Sequence, residues 1–478
     1  VLGYHCADEI RAAEAATGDL LASGVLMRRA AAGLAGVVAV ELRARRGAVY
    51  GSRVGLVVGA GDNGGDALFA GAFLRARGVA VSALLLAPDR AHAAGLVAFR
   101  RAGGRIVEAV AHDLDLVVDG VVGLGGSGPL RPTAAAVFEL VTAPVIAVDI
   151  PSGVDADTGV VNDPSVRAAV TVTFGARRRA HILAAEQCGR VECIDIGIDV
   201  HGAQLVALDD HDVATNWPVP GPSDDKYSQG VTGIIAGSDT FPGAAMLCTG
   251  AAVAATSGMV RYVGSAAGDI VARHPEVVAA PDLDSAGRVQ AWVVGPGAGT
   301  DDAAAERVRA ILATDLPVLV DADGLTVLAE HLDWVQQRDA PTLLTPHAGE
   351  FARLAGAEVG SDRVAAVTDL AVQLGATVLL KGRITVVADG TGPVLVNDAG
   401  ASWAATAGAG DVLSGLAGAL LAAGLTARVA AASAARVHAH AAILAARGDA
   451  DTSAGAPIGA SDLLAGIRPA IREMRSRA

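Results

Sequence analysis

Thr406-Ala407-Gly408-Ala409-Gly410-Asp411-Val412-Leu413-Ser414-Gly415 sets an acid between a glycine-rich turn and an Ala/Leu-rich segment of helical character. Gly408 and Gly410 let the backbone come close to a ligand. The first amides of a helix lack intrahelical partners, so with the helix dipole they favour an anion. Asp411 would then stand where phosphate chemistry happens. An acid in the first turn of an ordinary helix is the plainer reading of the same residues.

Three clusters in the first half of the chain carry further polar groups. Gly59-Ala60-Gly61-Asp62-Asn63-Gly64-Gly65-Asp66 follows a β-branched run and precedes a helical pattern. Its Gly59-x-Gly61-x-x-Gly64 spacing, with Asp89 further on, formally matches a dinucleotide fingerprint. Asp62 and Asp66, however, would set two carboxylates against a pyrophosphate, so a cation or a hydroxyl suits this loop better. Asp119-Gly120-Val121-Val122-Gly123-Leu124-Gly125-Gly126-Ser127-Gly128-Pro129 and Asp149-Ile150-Pro151-Ser152-Gly153-Val154-Asp155-Ala156-Asp157-Thr158-Gly159 are the others. Each alone is ordinary turn chemistry; together they could meet over one sheet edge. The run Arg177-Arg178-Arg179 could touch a substrate phosphate, but a run of arginines is more often a solvated loop. In the second half, charged or glycine-rich loops recur at Gly295–Gly299, Asp321–Leu325, Thr345–Glu350 and Lys381–Arg383. His347 fits a turn as well as a functional role.

The elements that must position these loops are legible as apolar runs without alternation, the mark of parallel strands covered on both faces. Strands are expected at 53–58, 80–86, 116–118, 145–149, 169–174 and 191–194, then at 232–236, 291–294, 317–320, 342–344 and 377–380. Helices are expected at 8–21 and 25–46. Asp209–Pro222, with clustered acids and three prolines (Pro218, Pro220, Pro222), breaks every period and sets a boundary between domains 1–212 and 213–478. The fold class is α/β, with two three-layer domains.

Composition narrows the partners. The chain has 478 residues, 52% of them hydrophobic and only 3% aromatic, so its apolar mass is Ala, Val and Leu. Lys226 and Lys381 are the only lysines, which excludes a P-loop. A formal charge of −14 argues against nucleic-acid and anionic-membrane binding and leaves small molecules. Cys6, Cys188, Cys193 and Cys248 lack zinc spacing and read as free thiols of a reducing cytoplasm. No leader is read near Val1, and the uncharged 243–260 stretch reads as a buried helix rather than a span.

The first three loops resemble those of NAD(P)H-hydrate epimerases over residues 5–205, implying a Rossmann-like domain. The resemblance implies substrate contacts at Asp62, Asn63, Gly64, Gly65 and Asp66, at Gly123, Leu124, Gly125, Gly126, Ser127, Gly128 and Pro129, and at Asp155, a catalytic acid or base. It also implies a potassium ion on Asn63, Asp119 and Thr158. Asp62 stands where the family usually has Asn, and Ala67 where it has Gly. From Lys226 onward, Gly-Pro-Gly-Ala-Gly, Thr-Pro-His-Ala-Gly-Glu, Leu-Lys-Gly and Gly-Ala-Gly-Asp occur in the order of ribokinase-like, ADP- or ATP-dependent NAD(P)H-hydrate dehydratases. Ala409 and Gly324 depart from the usual Thr and Ala.

For the second domain this implies substrate contacts at Gly297, Thr345, Pro346, His347, Ala348, Gly349, Glu350, Phe351 and Asp411, with Asp411 catalytic. Nucleotide contacts are implied at Lys381, Gly382, Arg383, Ile384 and Thr385, and at Ala401, Ser402, Trp403, Ala404, Ala405, Thr406, Ala407, Gly408, Ala409 and Gly410. The implied function is repair of NADHX and NADPHX with ADP or ATP and magnesium, in a cytoplasmic homo-oligomer. The rival is a vitamin or sugar kinase fused to a dinucleotide-binding domain.

Overall fold

The computed structural model describes residues 1–123, 125–126, 128–448 and 455–478. The chain divides into two compact units, Gly3–Leu205 and Val206–Ala478, the latter joined by Val1–Leu2. The division falls ahead of the expected 212/213, and Asp209–Pro222 lies wholly inside the second unit. Asp209 accepts from the Asp212 amide at 2.8 Å, capping a helix at Asp210–Asn216, and Arg436 donates to Asp210 at 2.8 Å. The acids that interrupt the sequence pattern are thus a helix cap and an ion pair.

In the first unit seven strands, all parallel, run in the order Arg105–Val107, Ala80–Leu85, Arg53–Val58, Leu116–Gly120, Val145–Val148, Val170–Phe174, Arg190–Ile194. Helices Val25–Arg46 and Asp62–Ala76 pack on one face through Leu34, Val38, Leu68 and Leu74 against Leu56, Val118 and Ile146. Helix Pro132–Glu139 covers the other face against Val57, Val117 and Val145. Strand order reverses between Arg53–Val58 and Leu116–Gly120, and crevices at such a switch point are where open α/β sheets bind ligands.

The strands of the second unit from 231 to 398 run Val278–Ala280, Met259–Val263, Val231–Ile235, Ala291–Val294, Val318–Val320, Thr342–Leu344, Thr377–Leu380, Ile384–Ala388, Val394–Asp398. Pairing is parallel up to Thr377–Leu380 and antiparallel across the last two. The sequence reading did not identify the hairpin 384–398 or the strand Met259–Val263. Arg261 breaks the apolar run in that strand, yet its guanidinium turns aside to the Ala286 carbonyl at 2.8 Å. The uncharged 243–260 stretch contains helix Pro242–Ala255, with Cys248, Ala251 and Ala252 fully or almost fully buried. Ala427–Arg447 is long and apolar enough to cross a membrane, but 61% of its apolar window is buried among the domain's own elements.

Helices Pro242–Ala255 and Ala409–Ala422 touch backbone to side, because Gly415 has no side chain. A Cβ there would stand 1.9 Å from the Cys248 carbonyl oxygen. Gly415→Ala should therefore force the helices apart and destabilise the protein by about 1–3 kcal/mol. A lowered urea midpoint with unchanged slope would register it.

Candidate functional sites

Asn63, in the first turn of helix Asp62–Ala76, donates its side-chain amide to the Val122 carbonyl at 2.9 Å and to the Val148 carbonyl at 2.6 Å. One side chain thus ties together the ends of three strands at the switch point. Ser152 adds a second tie: its hydroxyl donates to Asp119 Oδ1 at 2.7 Å and accepts from the Val122 amide at 3.1 Å. The Ser152 amide also donates to Asp119 Oδ2 at 2.8 Å. Asp119 is fully buried, and burial pushes its carboxyl up to about 6 although the Ser152 bonds oppose the shift.

Around this knot the acids differ sharply. Asp66 is buried with Oδ1 unpartnered, and burial, followed by the charges of Asp149, Asp62 and Glu14, raises its pKa well above the carboxylate range. Asp155 is only partly buried. Burial raises it, but the amides of Thr158 and Asp157 and the Thr158 hydroxyl all donate to Oδ1 and hold it below its ordinary value. Asp62 is exposed, and Gly64 and Gly65 are buried in the helix start. Gly123 lies against the Asn63 side-chain oxygen, Gly126 donates to the Gly123 carbonyl at 2.9 Å, and Gly125, Gly128 and Pro129 continue that loop. Leu124 and Ser127 fall outside the described residues.

The arginine run is not a solvated loop. Arg178 is 1% exposed and pairs with Asp149 at 3.0 Å, and Thr173 donates to the same carboxylate at 2.9 Å. His181 Nδ1 accepts from the Arg178 amide at 2.9 Å, so Nε2 carries the proton and donates to the Asp149 carbonyl at 2.7 Å. Burial holds this imidazole neutral, its pKa near about 4.

In the second unit the centre is Asp321, which is 1% exposed. Lys381 Nζ donates to its Oδ1 at 2.7 Å and the Ser414 hydroxyl to its Oδ2 at 2.6 Å. Glu350 Oε2 lies 3.6 Å from the same ammonium. Burial alone would lower the Lys381 pKa; Asp321 and Glu350 outweigh it and hold it above the lysine value. Glu350 Oε2 also accepts from the His347 amide at 2.8 Å, while His347 Nδ1 accepts from the Gly349 and Glu350 amides, so the pair forms a capping box on helix Ala348–Ala355. Asp411 stands in the first turn of helix Ala409–Ala422, after Gly408 in the left-handed region at φ 85. Burial, then the Asp321 charge, pushes the Asp411 carboxyl up to about 6 against the attraction of Lys381.

Of the other expected substrate contacts, Gly297 backs onto Phe241 and Ala244, and Thr345 is fully buried. The Pro346 carbonyl accepts from the Lys381 amide at 2.8 Å, Ala348 starts the capped helix, and Phe351 is turned into the core at 2% exposure.

A cavity of about 230 Å³ opens beside this cluster. Its lining includes Lys381, Gly382, Arg383 and Thr385, then Ala401, Ser402, Ala404 and Ala405, and Ala409 and Gly410 from the start of the Asp411 helix. Ile384, Trp403, Thr406, Ala407 and Gly408 are not part of its wall.

The family model for NAD(P)H-hydrate dehydratase matches residues 232–457, and that for the YjeF-related protein N-terminus matches 23–180. Over 399 residues, 83% of this chain and 84% of its relative, the sequence is 61% identical to the bifunctional NAD(P)H-hydrate repair enzyme Nnr of Mycobacterium tuberculosis. This chain belongs to the bifunctional NAD(P)H-hydrate repair enzyme family. A Corynebacterium glutamicum member is 40% identical over 462 residues, with 80% of each chain covered. A ribokinase-like superfamily protein from Enterococcus faecalis shares the second domain's fold at TM-score 0.50 and 21% identity, covering 58% of this chain and 98% of that one.

Several residues lining this cavity escaped the sequence reading. Asn397 and Ala399 line the cavity from the end of the unread hairpin. Leu413 adds a wall residue from the Asp411 helix, and Ala435, His438 and Ala439 line it at helical spacing from Ala427–Arg447. That spacing is the one signal that could have found them. Asp321 was visible only as loop chemistry.

Because the Asp411 carboxyl is raised in the folded state, its contribution to stability is fully present below the unfolded value near 4 and is lost as pH rises through about 6. Asp411→Asn avoids that loss. Its melting temperature should match wild type near pH 4 and exceed it at pH 8, by about 1–3 kcal/mol in free energy.

Proposed function

We infer that the first domain interconverts the two C6 epimers of hydrated NADH and NADPH, and that the second dehydrates the S epimer to the reduced cofactor at the expense of ADP or ATP. The observation that carries the dehydratase reading is Asp411, a carboxyl pushed up to about 6 at a glycine-led helix start, with Lys381 beside it and the cavity of about 230 Å³ at its flank. Asp411 takes the proton of the C6 hydroxyl as that oxygen attacks the terminal phosphorus, the bond from that phosphorus to its bridging oxygen breaks, and AMP leaves from ADP or ADP from ATP. Lys381 and the Gly408–Asp411 amides hold the charge of the transferred group. The phosphate on C6 then leaves as C5 loses a proton, which restores the ring double bond. A kinase would instead leave a phosphorylated product.

The nearby carboxylates are engaged: Asp321 by Lys381 and Ser414, Glu350 by the His347 amide, and Asp323 by the Gly299 amide at 2.9 Å. Magnesium would therefore arrive on the nucleotide phosphates rather than in a protein cage. Asp155, partly open and held below its ordinary value by the donors of its own turn, is assigned as the catalytic acid or base of the first domain. Asn63 Oδ1, the Asp119 carboxylate and the Thr158 hydroxyl would offer a monovalent cation oxygen ligands only, the donor type hard cations take. Potassium there would supply charge that fixes the three loops. The four free thiols agree with a cytoplasmic setting.

Two experiments test this. Asp411→Asn should slow nucleotide-dependent dehydration by at least two orders of magnitude, about 3 kcal/mol, while epimerisation continues. Recovery of reduced-nicotinamide absorbance reads the first and chiral separation of the epimers the second; dehydration within tenfold of wild type overturns the assignment. For the ion, potassium should raise the melting temperature through a saturable site beyond the general salt effect, and Asp119→Ala should keep only the latter. Equal responses in the two proteins count against the site.

A further inference from the structure

His438 is a wall residue of the cavity that no step above uses. Its Nε2 lies 2.9 Å from the Ala409 carbonyl oxygen, at the start of the helix that carries Asp411. A carbonyl can only accept, so Nε2 holds the hydrogen. Nδ1 has no hydrogen-bond partner among the described residues and is not among their sealed, unpartnered polar atoms, so it keeps some exposure on a side chain that lines the cavity. The ring is packed beside Ala435 and Ala439 with Lys381 across the space. Burial, together with the lysine's charge, outweighs the pull of the carbonyl and lowers its pKa to about 4. Nδ1 is therefore a bare acceptor at neutral pH.

A histidine in a phosphate-binding cavity is ordinarily taken for a cation. This one already commits its single N–H to the Ala409 carbonyl, and a lone pair aimed at a phosphate oxygen would repel it. The phosphate end is served by Lys381 and by Gly410, whose Cα carries no side chain to stand between the backbone and that ammonium. On the nucleotide reading of this cavity, we propose that His438 is a specificity residue for the nucleoside: Nδ1 accepts from a donor group of the bound nucleotide, a ribose hydroxyl or the purine amine, while Nε2–H pins the helix start that holds Asp411. One ring would thus couple recognition of the nucleoside to placement of the catalytic acid.

The test uses the full chain and four nucleotides: ADP, inosine diphosphate, which has an oxo group for the amine, and 2′-deoxy- and 3′-deoxy-ADP. In wild type the analogue lacking the recognised donor should raise KM about tenfold, the equivalent of one hydrogen bond. His438→Gln keeps an amide able to reach the Ala409 carbonyl and moves the acceptor off the Nδ1 position, so KM for ADP should rise to the analogue's value and the distinction vanish. His438→Asn keeps an acceptor near the Nδ1 position and gives up the tie, so it should retain the distinction and lose chiefly kcat. Penalties that are the same in wild type and His438→Gln for all three analogues overturn the proposal. If wild type dehydrates with none of the nucleotides, the reading of the cavity itself fails, which is a different result.

Discussion

In each domain one buried carboxylate at a strand end is matched by a cation from a neighbouring segment. Asp149 follows the strand Val145–Val148 and is held by Arg178; Asp321 follows Val318–Val320 and is held by Lys381. Both acids are almost wholly buried, so loss of either partner would leave an uncompensated charge, a defect of about 3–5 kcal/mol. Backbone strain gathers at the same points. Asp149 at φ 68 and Ala322 at φ 50 are the non-glycine residues found in the left-handed region among those described. The sheets thus pay in conformation to present polar loops at their carboxyl edges.

Once those two pairs are in place, the remaining acids sort by what surrounds them. Asp155 is bound by the donors of its own turn, stays ionised and is partly open. Asp411 has water removed on most sides and a like charge beside it, so a single carboxyl can take up and release a proton near neutral pH. Asp66 and Asp119 sit deeper still, and both are pushed toward the protonated form. With 37 Lys and Arg against 51 Asp and Glu, some buried carboxylates, Asp66 and Asp119 among them, carry no ion pair among the described residues, and burial sets their proton affinities.

Much of the architecture was readable because the central strands are apolar without interruption: Arg53–Val58, Ala291–Val294, Thr342–Leu344 and Thr377–Leu380 appear in the structure with the bounds that their composition implies. Glycine loops after those strands marked the two edges. What escaped is where tertiary partners override local pattern. Arg261 sits inside a strand because its charge finds a carbonyl outside it, and Arg178 lies inside the protein because Asp149 waits there. The Asp209 segment reads as broken because its acids serve a cap and Arg436. His438 belongs to a helix whose alanine repeat announces packing and says nothing of the cavity on its flank. Asp321 shows the same limit, since its type was visible and its two bonds were not.

The strand orders also bear on how the chain is made. In the first domain the strand nearest the N-terminus in the seven-stranded sheet, Arg53–Val58, lies in its interior; Ala80–Leu85 and Arg105–Val107 join one side in turn, and Leu116–Gly120 and its successors join the other. Val231–Ile235 plays the same part in the second domain, with Met259–Val263 and Val278–Ala280 on one side and Ala291–Val294 onward on the other. No strand of either series has to be slipped between two already paired. A chain leaving the ribosome can therefore build each sheet by adding to an open edge, with the first domain, contiguous from Gly3 to Leu205, able to finish before the second has been synthesised. The cost of that order is a bare edge at every stage, and in the second domain the antiparallel hairpin 384–398 comes last.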